Sequence, residues 1–197
     1  SADGTIVFRP GDSVSDGWDL RVLSRDGGLL ERYEEVTQPV GPALSPDGTR
    51  VALHRLEDTV GDVWVLNLAD GVQRRFTFDR TQENASPVWS PDGTRLVFRS
   101  RRGGKWALVE KPADGAGGER VLAEFANPVS PMSWSPDGAH LLFMVDEPLS
   151  NWDIWQYSFA DRVAAPLLNG QAAEGFPQFS PDGRWFAYTT DQQAFVE

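Results

Sequence analysis

The chain has 197 residues, 40% of them hydrophobic, with 8 Trp and 11 Phe, which excludes a disordered tail. Its net charge of −11 and its scattered basic residues argue against a nucleic-acid partner. There is no cysteine, so disulfide scaffolds, thiolate metal sites and a cysteine nucleophile are excluded, and no apolar run approaches the ~18 residues of a membrane span.

The first unit opens on Ser1-Ala2-Asp3-Gly4, a near-copy of a tetrapeptide that then returns four times. An apolar run follows at Ile6-Val7-Phe8, then a polar loop over Pro10 to Gly17 ending in Trp18, then a strand from Asp19 to Leu23. A turn at Asp26-Gly27-Gly28 leads into a more polar strand from Leu29 to Tyr33. The full tetrapeptide stands at Ser45-Pro46-Asp47-Gly48, Ser90-Pro91-Asp92-Gly93, Ser135-Pro136-Asp137-Gly138 and Ser180-Pro181-Asp182-Gly183, a constant step of 45 residues. Before each lies a short segment closing on a large apolar residue (Leu44, Trp89, Trp134, Phe179), and after each comes an apolar run: Val51-Ala52-Leu53, Leu96-Val97-Phe98, Leu141-Leu142-Phe143, Phe186-Ala187-Tyr188. A third strand reads Asp62 to Leu66, Lys105 to Val109 and Asp153 to Tyr157. After turns at Asp70-Gly71, Asp114-Gly115 and Asp161-Arg162, a fourth reads Val72 to Thr77, Arg120 to Ala123 and Ala165 to Leu168.

Four short strands per period of about 45 residues predict an all-β propeller of four-stranded antiparallel blades. The units start near residues 1, 45, 90, 135 and 180, and the chain reads as a single β-propeller domain or fragment over residues 1–197. Three periods hold all four strands, the first lacks strand one, and the fifth stops where strand three should begin. The expectation is an incomplete wheel of about 4.5 blades, with open edges that invite self-association. A start on a turn motif is read as a fragment or a processed form.

The repeated tetrapeptide has a physical reading as a turn. Pro presets φ at the second position, Asp accepts a backbone hydrogen bond, Gly takes the left-handed conformation and Ser ties the turn through its hydroxyl. A catalytic site recurring in every blade has no use. The two histidines, His54 and His140, fall in repeat columns at strand ends, where polar residues are routine. No paired-histidine spacing, calcium loop or G-x-S-x-G elbow occurs; Gly11-Asp12-Ser13-Val14-Ser15 fails at its last position, and Gly115-Ala116-Gly117-Gly118 reads as a hairpin tip. Two loops between strands two and three, Pro10 to Gly17 and Asp146 to Asn151, carry insertions. They end in Trp18 and Trp152, candidate residues of a binding rim. Catalytic, cofactor-binding and metal residues are expected to be none.

The Ser-Pro-Asp-Gly turn, the apolar strand and the Asp-Val-Trp or Asp-Ile-Trp run resemble the bacterial WD-repeat-like, TolB-type propellers. That family includes the propellers of the Tol–Pal translocation protein and of prolyl-oligopeptidase-type peptidases. Residues 62–71, 75–79, 86–100, 134–143 and 152–155 are most similar in style to C-terminal propellers of bacterial serine/threonine kinases. The resemblance implies a non-catalytic binding or interaction module with a protein or peptide partner and no cofactor. It implies a sensor or scaffold role in a larger bacterial protein, in the periplasm or elsewhere outside the cytoplasm. Alternatives are the substrate-gating propeller of a prolyl-oligopeptidase-type hydrolase and a TolB-like envelope scaffold.

Overall fold

The computed structural model describes residues 6–8, 20–24, 26–33, 39–57, 60–78, 83–148 and 151–191. They form antiparallel sheets and no helix. Blade one is β1 (Ile6–Phe8), β2 (Leu20–Leu23) and β3 (Leu29–Tyr33); blade two is β4 (Pro39–Leu44), β5 (Arg50–Glu57), β6 (Val60–Asn67) and β7 (Gln73–Arg75). Blade three is β8 (Glu83–Trp89), β9 (Arg95–Arg102), β10 (Lys105–Pro112) and β11 (Arg120–Phe125). Blade four is β12 (Val129–Trp134), β13 (His140–Glu147), β14 (Asn151–Ser158) and β15 (Val163–Leu168), and blade five is β16 (Glu174–Phe179) with β17 (Phe186–Thr190). The described sheets do not close into a ring.

Each blade pairs its strands in chain order, because consecutive strands are joined by tight hairpins. The first strand of one blade packs on the sheet of the blade before it, whereas the fourth strands are largely exposed. Strand one is therefore innermost and strand four outermost. The second strands of blades two to four are buried on both faces: Val51, Ala52, Leu53, Leu96, Val97, Phe98, Leu141, Leu142 and Phe143 are all 0% exposed. This is why they read as unbroken apolar runs rather than alternating ones.

The strands are longer than the sequence pattern marks. First strands extend back to Pro39, Glu83, Val129 and Glu174, and β13 and β14 take up both ends of the expected Asp146-to-Asn151 loop, with Asp146 opposite Trp152 and Glu147 opposite Asn151. The ends of the expected insertion in that unit are thus paired strand. The other one, Pro10 to Gly17, lies outside the described residues.

All four tetrapeptides fold alike. The glycine N–H donates to the serine carbonyl at 2.9 Å in each turn. The serine hydroxyl donates to the aspartate two residues on, at 2.5 Å for Ser45, Ser90 and Ser135 and 2.6 Å for Ser180. The same hydroxyl accepts the N–H five residues on, from Arg50, Arg95, His140 and Trp185. The aspartate also accepts the N–H of Thr49, Thr94, Ala139 or Arg184. Gly48, Gly93, Gly138 and Gly183 have φ of 71°, 68°, 74° and 69°. A methyl group on Gly93 would meet nothing closer than 3.7 Å, so its need is conformational. Gly93→Ala is expected to lower unfolding free energy by about 1–2 kcal/mol in a denaturant titration, through the left-handed backbone alone.

Neighbouring blades are fastened by cations over rings. Arg50 lies 4.5 Å from the centre of the Trp89 ring and donates to the Gly93 carbonyl at 3.0 Å, while Trp89 Nε1 donates to the Ala43 carbonyl at 2.9 Å. One repeat later, Arg95 lies 5.0 Å from the Trp134 ring and is held by Glu110 at 2.8 Å. The buried Lys111 reaches from blade three to the Phe76 carbonyl of blade two at 2.7 Å and lies against the Phe76 and Phe78 rings. Each contact adds a cation–π or charge-assisted interaction between sheets that are otherwise joined by apolar packing.

Candidate functional site at the inner strands

The turn aspartates are not acid–base groups in waiting. Hydrogen bonds from the serine hydroxyl, then from backbone N–H, hold Asp47, Asp137 and Asp182 below the ordinary carboxylate value, and Asp92 is lowered to about 2. They are ionised acceptors that organise a hairpin.

Trp152 lies on β14, half-buried, opposite Asp146. The equivalent position is Trp106 in blade three, opposite Arg101, and Gly61 in blade two, opposite Leu56. Trp106 has the guanidinium groups of Arg99 and Arg101 5.4 and 5.6 Å from its ring centre. Blade two makes the complementary exchange. His54 replaces the arginine and Gly61 the tryptophan, and a Cβ on Gly61 would fall 1.8 Å from His54 Nε2. Trp152 thus occupies a repeated packing column. Trp18 lies outside the described residues.

His54 is a correction to the sequence reading. It stands within β5, not at its end, and is only 8% exposed, with no hydrogen-bond partner for Nε2. Burial and then Arg99 push its pKa down, so it stays neutral. His140 is bonded through Nδ1 to Gln156 Nε2 at 3.1 Å. Among the described residues no group of three or more His, Asp or Glu is placed to hold a metal ion.

What the sequence reading missed is a column on the first strands. Every one of them carries a β-bulge, between Val40 and Ala43, Ala85 and Val88, Pro131 and Ser133, and Gly175 and Gln178. Gly41, Ser86, Pro131 and Phe176, spaced by 45 residues, stand at these bulges. Gly41, Ser86 and Phe176 have φ of 58°, 54° and 54°, a conformation that L residues other than glycine adopt at a cost. Proline follows three of the four (Pro42, Pro87, Pro177), removing a backbone donor. Bulge and proline together blunt an inner edge that would otherwise offer a row of free backbone groups. Adjacent first strands meet here. Ser130 and Ser86 hydroxyls lie 3.4 Å apart, and Ser133 Oγ accepts Phe179 N–H at 3.0 Å and Gln178 Nε2 at 3.2 Å.

Phe176 is the outlier of the column. It is 67% exposed, with its N–H against Met144 Sδ at 3.1 Å, and it holds a strained backbone at a place where blade two has glycine.

Four-stranded antiparallel blades, packed first strand upon preceding sheet, make this an arc of a β-propeller. The family model described as the TolB beta propeller domain matches residues 33–193, and the chain belongs to that family. It is 26% identical over 191 residues to the "Uncharacterized peptidase YuxL" of Bacillus subtilis, covering 76% of this chain and 29% of that protein. It is 31% identical over 153 residues to the Tol-Pal system protein TolB of Anaeromyxobacter sp., covering 75% of this chain and 35% of that one. The crystal structure of TolB from Acinetobacter baumannii superposes with a TM-score of 0.78 at 19% identity, over 94% of this chain and 46% of that one. The chain thus spans about a third of these two sequence relatives.

Proposed function

We propose that the chain is a non-catalytic binding module whose inner strands take a protein or peptide segment. The observation that carries it is Phe176, an exposed aromatic ring on a strained bulge in a column otherwise filled by Gly, Ser and Pro. Strain of this kind is kept where a side chain has work to do, and an exposed aromatic ring is the usual anchor of a protein contact. The TolB family assignment supports the reading.

Panning a displayed random-peptide library against the chain tests it. The expected outcome is enrichment of peptides with Kd near or below about 10 μM, which is roughly −7 kcal/mol. Phe176→Gly should lose that binding at least tenfold while keeping or raising stability, because glycine takes φ of 54° freely. Failure to enrich any peptide, or equal binding by the variant, contradicts the proposal.

The finer placement, a sensor or scaffold domain of a larger bacterial protein like the C-terminal propellers of kinases, is part of the same proposal. A second reading, the substrate gate of a prolyl-oligopeptidase-type hydrolase, draws support from the similarity to YuxL, which is named as a peptidase. The gene on either side separates them. Kinase motifs and a membrane span upstream support the first, and an α/β domain with a G-x-S-x-G elbow downstream supports the second.

A further inference from the structure

One position recurs at three blade junctions with three different chemistries. Between blades two and three, Asp62 of β6 accepts from Asn84 of β8 at 3.3 Å and from Thr77 at 2.5 Å, and pairs with Arg75. Between blades three and four the same two places hold Ala107 and Val129, both buried. Between blades four and five they hold Asp153 of β14 and Glu174 of β16, only 5% and 8% exposed. Asp153 Oδ1 and Glu174 Oε2 have no hydrogen-bond partner. The strand-four position that supplies Arg75 opposite Trp64 is Pro166 opposite Trp155, so that position holds no cation here. Glu174 Oε1 borders Gly170, and the charged groups acting on Glu174 are Asp153 and Asp191, both acidic.

We infer that Glu174 is a pH-operated latch between blades four and five: as the neutral acid it lets β16 seat against β14, and as the carboxylate it repels Asp153 and Asp191 and loosens the junction. A covered carboxylate beside two others, with no cation acting on it among the described residues, is the arrangement least compatible with full ionisation. Burial, then Asp153 and Asp191, hold the Glu174 carboxyl above its ordinary 4.5. The folded chain thus keeps a proton that the unfolded chain has released. Its contribution to stability is complete below 4.5 and is lost as pH rises through the folded value.

Thermal unfolding of the wild-type chain and of Glu174→Gln, at about pH 4 and about pH 8, tests the latch. At the higher pH the glutamine variant is expected to melt above wild type by about 2–4 °C, and at the lower pH the gap closes. A variant that melts lower at the higher pH, or by the same offset at both, overturns the inference. So does a rise in the wild-type midpoint with millimolar calcium that the variant does not share, since the carboxylates would then serve a metal ion. Carbon-13 titration of the wild-type carboxyls reads the claim without a variant. A Glu174 midpoint above 4.5 supports it, and one at or below 4.5 overturns it.

Discussion

Asp62→Ala is expected to destabilise the chain by about 3–5 kcal/mol, the size of effect seen when one partner of a buried ion pair is removed. Asp62 is 2% exposed and is the common acceptor for Arg75, Thr77 and Asn84. Thr77 in turn accepts the Val63 N–H at 3.0 Å. The network ties the start of β6, the end of strand four and the first strand of the next blade to a single carboxylate. Without it, the Arg75 guanidinium, whose side chain is 17% exposed, loses the carboxylate it is paired with. Asp62→Asn keeps the shape and an acceptor and should fall well short of the alanine loss. Urea titrations of both variants check this, and a loss below about 1 kcal/mol for alanine contradicts it.

Phe143→Ala is expected to cost about 3–5 kcal/mol, the range for emptying an aromatic position in a packed core. Phe143 is 0% exposed, with ring centres at 5.5 Å from Phe125 and 6.2 Å from Trp155. Phe125 and Trp155 also meet edge to face at 5.8 Å, so the three rings brace one another. Tyr188, one repeat later in the same column, is 43% exposed. Tyr188→Ala should therefore lose only a fraction of the Phe143 value in the same titration. Equal losses at the two positions contradict this reading of the column.

The columns nearest the tetrapeptide were legible because their chemistry is local. Ser90, Asp92 and Gly93 bond among themselves and to Thr94 and Arg95, so spacing alone discloses the turn. Strand two was legible because burial on both faces leaves only apolar residues there. The third strand of blade three was misaligned. Lys105 reads as the counterpart of Asp62, but pairing makes that counterpart Ala107, opposite Ser100. The polar residue marks the start of a strand, and nothing in the sequence says that Ala107 answers to Val129 on another blade. The bulges were hidden for a related reason. A residue with positive φ has no fixed identity, and Gly41, Ser86 and Phe176 look unrelated, with Pro131 in the same column. The signal available was the proline after three of them at the repeat spacing. His54 looked like a surface polar residue because its cover depends on Gly61, a glycine with ordinary loop appearance.

The measurement that bears most directly on the division between scaffold and site is calorimetric titration of one selected peptide into the wild-type chain, Gly93→Ala and Phe176→Gly, each shown to be folded. Unchanged affinity in Gly93→Ala, with at least a tenfold loss (about 1.4 kcal/mol) in Phe176→Gly, is the expected result. Loss of binding in Gly93→Ala with retention in Phe176→Gly would move the site to the repeated turns and contradict the account.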